Sequence, residues 1–254
     1  AAGLLLPFRQ CIQRERTTAM IFDPLYLLLV APAMLLAMVA QWRVKSAFTR
    51  GRQCEASMNG TQVARAILDR SGLHNIDVQL HEGFLSDHYD PRSKVVRLSP
   101  IVYHEYSLSA VGIAAHEVGH ALQDAKHYAP LVIRNAAVPL AATGGKISMF
   151  VFIGGLMFGG LATVLGKGLL IGGIALFSCV VIFQLVNLPV EFNASTRAKA
   201  ILADMGVATG QQAIVVKQVL DAAALTYVAA TLSSVMTLLY MLIRSGLLGG
   251  RRSN

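Results

Sequence analysis

Four long stretches without a charged side chain constrain this chain more than any other feature of its sequence. They are Pro24–Trp42, Ile147–Gly166, Gly168–Val190 and Ala222–Ile243. A helix needs about 20 predominantly apolar residues to cross a bilayer, and each stretch comes close to that length. Only 14% of all residues are charged, whereas soluble domains carry about a quarter. The sequence therefore predicts a mainly α integral membrane protein with about four transmembrane helices.

The two middle stretches are separated only by Lys167, which predicts a tight transmembrane hairpin that turns at this residue. Small residues recur at a spacing of four in both arms, as Gly155 with Gly159 and Gly168 with Gly172. This spacing allows helix backbones to approach closely in lipid. We expect the two arms to pack against each other through these glycines.

The region between the first and second stretches is polar and carries different signals. Ile76–Leu80 alternates apolar and polar residues like a strand, and Val95–Leu98 is a second short strand. Ser107 or Ser109 then opens a helix of small and apolar residues. These elements predict a small α/β domain beside the membrane helices.

Together these patterns divide the chain into six segments. The letters Met20-Ile-Phe-Asp are typical of a natural start, so residues 1–19 are interpreted as an extension. The other segments are a transmembrane helix over 20–42, the polar domain over 43–146, the hairpin over 147–190, a helical segment over 191–221 and a last transmembrane helix over 222–246.

The formal net charge of +8 raises the question of nucleic acid as a partner. The Lys and Arg residues mostly flank apolar stretches, and no basic run with interleaved aromatic residues occurs. Flanking charge of this kind is typical of cytoplasmic loops that face anionic lipid. We therefore predict the lipid bilayer, and no nucleic acid, as a partner, with the polar domain on the cytoplasmic side. Three scattered cysteines argue against a disulfide framework and against a thiolate metal site.

The segment His116-Glu117-Val118-Gly119-His120 carries the clearest chemical signal. Residues four apart project from the same face of a helix, so two imidazoles at this spacing can bind one zinc ion. In this motif the glutamate acts as general base on the metal-bound water. The alternative is a pair of histidines on a buried helix that binds no metal.

A zinc site of this kind needs a further protein ligand. Glu191 follows the third uncharged stretch directly, at the membrane interface, where an unpaired carboxylate is costly. We predict that it is the third ligand; the alternative is an interfacial carboxylate paired with Arg197 or Lys199. Ser195 stands one helical turn further on and is predicted to hydrogen-bond a metal ligand.

The order of these features resembles that of the YugP-like neutral zinc metallopeptidases of bacterial membranes. The segments that carry the resemblance are Trp42–Ser46, Leu85–Arg92, Ala115–Gln123, Leu188–Ser195 and Ala222–Ala230. The resemblance implies a gluzincin-like zinc metalloendopeptidase with an HEXXH motif, in which His116 and His120 bind Zn2+ and Glu117 is the catalytic base. It also implies a polypeptide substrate and a multi-pass location in the bacterial cell (inner) membrane.

More distantly, the chain is similar to the HtpX-like and CAAX-prenyl endopeptidases, which implies a zincin-like α/β domain. In those proteins the third zinc ligand is the glutamate of an E-x-x-A-D motif, which matches Glu191 here. The aspartate of that motif is Ser195 in this sequence. A carboxylate contact to one of the histidines is therefore not implied.

Three further polar residues are accessory candidates around such a site. His88 and Tyr89 stand in a polar turn, where they either stabilise an oxyanion or only shape the turn. Arg197 either positions substrate or pairs with a nearby carboxylate. By analogy with such peptidases, the substrate is expected to add a strand along Val95–Leu98, interpreted as the sheet edge because it is the last strand before the histidine helix.

Two alternatives to a zinc enzyme follow from the same residues. The first is a non-catalytic, zinc-stabilised membrane scaffold, whose metal site would be closed by four protein ligands. A catalytic site would instead keep an open position beside Glu117. The second alternative is another metal, since iron or manganese also fits this ligand set.

Overall fold

The computed structural model describes residues 23–248. Within them the chain forms seven α-helices, three short strands and one turn of 3-10 helix at Gly160–Ala162. The helices are α1 Pro24–Arg52, α2 Gly60–Arg70, α3 Pro100–His104, α4 Leu108–Ala125, α5 Ala129–Met157, α6 Val164–Asp204 and α7 Gln211–Arg244. The strands are β1 Asp77–Leu80, β2 His88–Asp90 and β3 Val95–Leu98. The predicted extension over residues 1–19 lies outside the described residues.

Four of these helices, α1, α5, α6 and α7, are long and apolar enough to cross a membrane. Large apolar side chains on them point away from the rest of the protein: Leu28, Phe150 and Val164 are 73%, 78% and 93% exposed. Such surfaces are unfavourable in water and are accommodated by lipid tails. The prediction of a mainly α membrane protein with four spanning helices and a small α/β part is confirmed.

Helix α6 is much longer than a bilayer requires. Its 41 residues extend for about 60 Å at 1.5 Å per residue, roughly twice the thickness of the hydrocarbon core. One helix therefore runs from the membrane into the polar domain without a break. This continuity places Glu191, near its polar end, beside helix α4.

The hairpin turns before the position predicted from the sequence. Helix α5 ends at Met157, and the turn contains Gly159 and Gly160 with φ of 95° and 59°, a left-handed conformation that glycine adopts at little cost. Thr163 then caps α6 by accepting the N–H of Gly166 at 3.0 Å. The prediction of a turn at Lys167 is wrong, because a charge marks a break in hydropathy and not a break in the helix.

The two arms of the hairpin contact each other closely through Gly155, one of the glycines predicted, and through Gly173, which was not predicted. A Cβ atom on Gly173 would lie 2.8 Å from the backbone nitrogen of Phe152, and one on Gly155 would lie 2.7 Å from that of Leu170. By contrast, a Cβ on Gly168 would meet nothing within 4 Å. The spacing of glycines therefore identified the contact of the first arm at Gly155 but not that of the second arm, which lies at Gly173 because the early turn shifts the register.

The three strands form a sheet in the order β1-β3-β2. β1 pairs with β3 in parallel, and β2 pairs with β3 antiparallel. Val95–Leu98 is therefore the central strand, and the prediction that it forms the edge is wrong. Strand β2, which lies in the polar turn that contains His88, was not predicted from the sequence. It pairs with β3 on the side opposite to β1, so β3 lies between the other two strands.

The polar domain has an apolar core formed mainly by α2, α4 and the sheet, to which α6 and α7 also contribute side chains. Helix α2 begins with a reciprocal cap in which Asn59 and Gln62 each accept the other's backbone N–H, at 2.8 and 3.0 Å. The core side chains that are at most 1% exposed include Val63, Ile67, Leu68, Val96, Leu98, Leu108, Val111 and Val118. This core packs against one face of α4, whereas the face that carries His116 and His120 contacts Glu191 of α6.

Candidate metal centre

Helix α4 presents the two histidines of the sequence motif on one face. Ser107 caps its first turn by accepting the N–H of Ala110 at 3.2 Å. His116 and His120 are 8% and 7% exposed, and their rings lie 4.8 Å apart at an interplanar angle of 86°. One turn of a rigid, capped helix thus directs both imidazoles toward the same point.

Helix α6 crosses α4 and brings Glu191 to the histidines. Its Oε2 atom lies 3.3 Å from Nε2 of His116 and 3.5 Å from Nε2 of His120. Glu191 is 3% exposed, and Oε2 has no hydrogen-bond partner among the described residues. A buried carboxylate oxygen without a partner is costly, so this arrangement calls for a positive charge between the carboxylate and the imidazoles.

The three donor atoms fit a zinc ion. They all lie within 4.8 Å of one another. With bonds of about 2.0–2.1 Å in a tetrahedral site, neighbouring ligand atoms are roughly 3.3 Å apart, which matches the separation of Glu191 Oε2 from the imidazole nitrogens. Two histidines and one glutamate are also a known ligand set of catalytic zinc. Over residues 23–248, no further His, Cys, Asp or Glu joins this group.

The two helices come this close because Gly119 has no side chain. A Cβ atom there would lie 2.8 Å from the carbonyl oxygen of Ala194 and 3.2 Å from its Cα. Backbone atoms of a packed helix cannot swing aside as the end of a flexible side chain can. The glycine between the histidines therefore sets the distance between α4 and α6, and with it the position of Glu191.

Side chains behind the histidines fix the orientation of the rings. Ser195 Oγ lies 3.1 Å from Nδ1 of His116, and Gln123 Oε1 lies 3.0 Å from Nδ1 of His120. Gln123 also donates from Nε2 to the carbonyl oxygen of Val190 at 2.8 Å, which ties α4 to α6 next to Glu191. When each Nδ1 carries the ring proton, each Nε2 offers its lone pair to a metal.

Ser195 thus lies where the sequence placed it, whereas Gln123 was missed. Gln123 stands three residues after His120, a spacing at which side chains on a helix are neighbours. That local signal was available from the sequence. Its second contact, with a carbonyl group on α6, was not, because 67 residues separate the two partners.

Glu117 faces a cavity of about 250 Å³ that His116 also lines. Desolvation disfavours the charged carboxylate and raises the pKa of Glu117 to about 7, although the nearby His116 lowers it. A carboxyl group whose pKa is near neutrality is suited to accept and release protons at physiological pH. The fold therefore places the Glu117 carboxyl group, a proton acceptor, beside the three potential metal ligands without making it one of them.

Two accessory candidates point away from this cluster. The Tyr89 hydroxyl donates to Asp124 Oδ2 at 2.7 Å, an oxygen that also accepts from Lys94 at 2.6 Å. Nδ1 of His88 lies 2.8 Å from the carbonyl oxygen of Ser86. Both residues belong to β2, and neither side chain lines the cavity at Glu117. The structure does not bring the side chains of His88 and Tyr89 to His116, His120 and Glu191.

The ion pairs considered as the alternative for Glu191 do not form among the described residues. Arg197 donates from Nε to Asn193 Oδ1 at 2.7 Å, and Lys199 pairs with a carboxylate on α7. Among the described arginine and lysine side chains, Arg134 on α5 is the one that lies near Glu191, with Nη1 3.8 Å from Oε1. Arg134 was not singled out by the sequence, since it precedes the uncharged part of its helix and resembles any flanking charge.

Comparison with known proteins agrees with this geometry. A family model described as "Putative neutral zinc metallopeptidase" matches residues 26–246. A curated relative, the "Putative membrane protease YugP" of Bacillus subtilis (strain 168), is 45% identical over 217 residues, which cover 85% of this chain and 94% of the relative. No solved structure matches the chain.

Proposed function

Since the chain belongs to the neutral zinc metallopeptidase family, we propose that it is a membrane-bound, zinc-dependent endopeptidase that hydrolyses peptide bonds of a polypeptide substrate. One observation carries the proposal: a buried carboxylate oxygen of Glu191, which has no hydrogen-bond partner within residues 23–248, lies 3.3 and 3.5 Å from two imidazole nitrogens. Glu117 stands beside this group and faces a cavity.

Each residue of the cluster has a role in this reaction. His116, His120 and Glu191 would hold the zinc ion, and Ser195 and Gln123 keep the rings in the required tautomer. When bound, zinc supplies Lewis-acid chemistry, which acidifies water and polarises a peptide carbonyl. Glu117 accepts the proton of the attacking water and delivers it to the leaving amine.

The number of ligands favours an enzyme over the scaffold alternative. A structural zinc site is closed by four protein ligands, whereas a catalytic one has three and keeps an open position. Three potential ligands meet here among the described residues, and a cavity adjoins them on the side of Glu117. Iron or manganese would fill the same position, so metal analysis of the purified protein distinguishes these metals from zinc.

The substrate is proposed to bind along β2, which forms an edge of the described sheet next to α4. The backbone of Tyr89 in this strand lies against Glu117, so a peptide paired with β2 would pass the proposed base. Pairing of this kind uses main-chain hydrogen bonds. Methylation of the paired peptide nitrogens should therefore lower kcat/KM, and equal rates for methylated and unmethylated peptides would contradict this binding mode.

The polar domain is proposed to face the cytoplasm of a bacterial cell. Arg43, Lys45 and Arg50 follow the apolar part of α1, and such excess basic charge marks the cytoplasmic side. Lys126 and Lys167 are both exposed and lie at opposite ends of the hairpin arms. In a cysteine-free background, an impermeant maleimide should label Lys167→Cys but not Lys126→Cys in intact cells. The reverse pattern would place the polar domain outside.

The decisive experiment compares hydrolysis of peptides by the purified, zinc-loaded protein and by its Glu117→Gln form. Loss of the general base should lower kcat by about 10²- to 10⁴-fold, while the zinc content stays unchanged because Glu117 is not among the ligands. The matched control is Glu82→Gln, an exposed glutamate outside the cluster, which should keep full activity. Equal activity of the Glu117→Gln form and the unmodified protein would refute the mechanism.

A further inference from the structure

The cavity beside Glu117 is lined by elements from three parts of the chain. Glu117 and His116 line it from α4, and further lining comes from α1 and α7, the two membrane helices that contact α4 on this side. Leu85 covers it from the loop between β1 and β2. The neighbouring Phe84 packs edge-on against Phe48 of α1, with ring centroids 5.8 Å apart, and so holds this loop over the cavity.

Most of the lining is apolar. The side chains that surround the space beside Glu117 include Val44, Phe48, Leu85, Ile113, Val219 and Ala223. Water gains few hydrogen bonds against such walls, so an apolar group that replaces it is favoured. The lining therefore selects for an apolar ligand group.

Two polar side chains of the lining, Asp87 and Thr226, already have partners, and Gln41 and Tyr227 line it as well. Asp87 accepts from the backbone N–H of Ser99 at 2.7 Å and from its hydroxyl group at 3.1 Å, so both carboxylate oxygens are engaged. The Thr226 hydroxyl donates to the carbonyl oxygen of Ala223 at 2.7 Å. Neither residue requires a polar or charged ligand group to complete its hydrogen bonds.

The volume of the cavity suits a large side chain. An apolar protein cavity of about 150 Å³ accepts a benzene ring, and this one measures about 250 Å³. It accommodates a leucine, methionine or phenylalanine side chain, whereas an alanine would leave most of it unfilled. Unfilled apolar space forfeits the contacts that stabilise a complex.

We propose that this cavity determines specificity by binding a bulky apolar side chain of the substrate next to the cleaved bond. The inference rests on the proposed function and narrows its substrates to polypeptides with leucine, methionine or phenylalanine at this position. Because the cavity borders both Glu117 and His116, a side chain that fills it brings the adjacent peptide bond to the site of hydrolysis.

The test uses the zinc-loaded, full-length protein in detergent and fluorogenic peptides that differ at one position beside the cleaved bond. A leucine or phenylalanine peptide should be cleaved with a kcat/KM about 10- to 100-fold above that of the alanine peptide. Ala223→Leu fills the cavity and should reduce this ratio about tenfold. The matched control is Ala230→Leu on the exposed face of the same helix, which should leave the ratio unchanged.

A second variant and a binding assay keep the inference testable if Ala223→Leu does not fold or if no peptide is cleaved. Val219→Ala enlarges the cavity and should raise the preference for phenylalanine over leucine. Labelled leucine and alanine peptides should also differ at least tenfold in binding to the Glu117→Gln form. Equal ratios for all variants, or equal binding, would overturn the cavity proposal, whereas absent cleavage with selective binding would contradict only the proposed peptidase activity.

Discussion

The two halves of the candidate metal centre are built in different ways. The α4 half supplies His116, Glu117 and His120 from five consecutive residues of one capped helix. The α6 half supplies Glu191 and Ser195 from a helix that also crosses the membrane. Local helix geometry is sufficient to set the first half, whereas the second is positioned only by packing between helices.

The junction between the halves depends on a few contacts. Gly119 allows the backbone of α6 to approach, and Gln123 links the ring of His120 to the carbonyl group of Val190. Neither contact lies in the apolar core of the polar domain. The position of Glu191 is therefore more sensitive to single substitutions than the spacing of the two histidines.

The largest expected effect comes from removing one ligand of each half. His120→Ala and Glu191→Ala should both lose zinc from the purified protein and abolish peptide hydrolysis, since two remaining ligands bind zinc weakly. Metal analysis after dialysis measures this, with the exposed His104→Ala as control. If Glu191→Ala kept its full zinc content while His120→Ala lost zinc, the centre would not need both halves, because α4 would bind the metal without α6.

A smaller effect is expected when the junction itself is overpacked. Gly119→Ala should destabilise the protein by about 1–3 kcal/mol and weaken zinc binding, because the new methyl group displaces the backbone of α6. Gly112→Ala on the same helix is the control, since its Cβ would meet only a side chain, that of Val216, at 3.3 Å. Thermal unfolding with and without zinc measures both effects. Equal behaviour of the two variants would show that α6 accommodates the methyl group.

Removal of the Ser195 hydroxyl group should have a moderate effect. The loss of its contact with Nδ1 of His116 should weaken zinc binding by about 10-fold, at the lower end of the range for such supporting groups. The control is Ser178→Ala on the same helix, whose hydroxyl group donates to the carbonyl oxygen of Ile174 in that helix. Competition with a chelator gives both affinities, and unchanged affinity in Ser195→Ala would remove Ser195 from the centre.

The smallest effect is expected for Tyr89→Phe, which tests a residue that the sequence associated with the site. Loss of the hydrogen bond to Asp124 should lower the free energy of unfolding by about 1 kcal/mol. Values of kcat and KM for peptides should not change, because the hydroxyl group points away from the cluster. A fall in kcat without loss of stability would restore the predicted role in oxyanion stabilisation.

The contrast between the halves also explains what the sequence could predict. Uncharged length identified the four spanning helices, and the spacing of His116 and His120 placed two imidazoles on one face. The central position of Val95–Leu98 could not be predicted, because the strand on its other side, His88–Asp90, has only three residues in a polar turn and gives almost no periodic signal. The turn at Gly159 was missed because hydropathy does not record backbone conformation. Contacts such as Gln123 with Val190 depend on how the helices cross, which no local pattern encodes.

During synthesis, α4 leaves the ribosome well before α6. In the chain 79 residues separate His116 from Ser195, and the first arm of the hairpin and its turn lie between them. A nascent chain therefore carries both histidines and Glu117 before the proposed third ligand exists. The centre can assemble only after the second arm has inserted and returned to the polar domain, so an unfinished or mislocalised chain would be inert. On the proposed function, insertion of the hairpin would therefore precede any peptide hydrolysis by this chain.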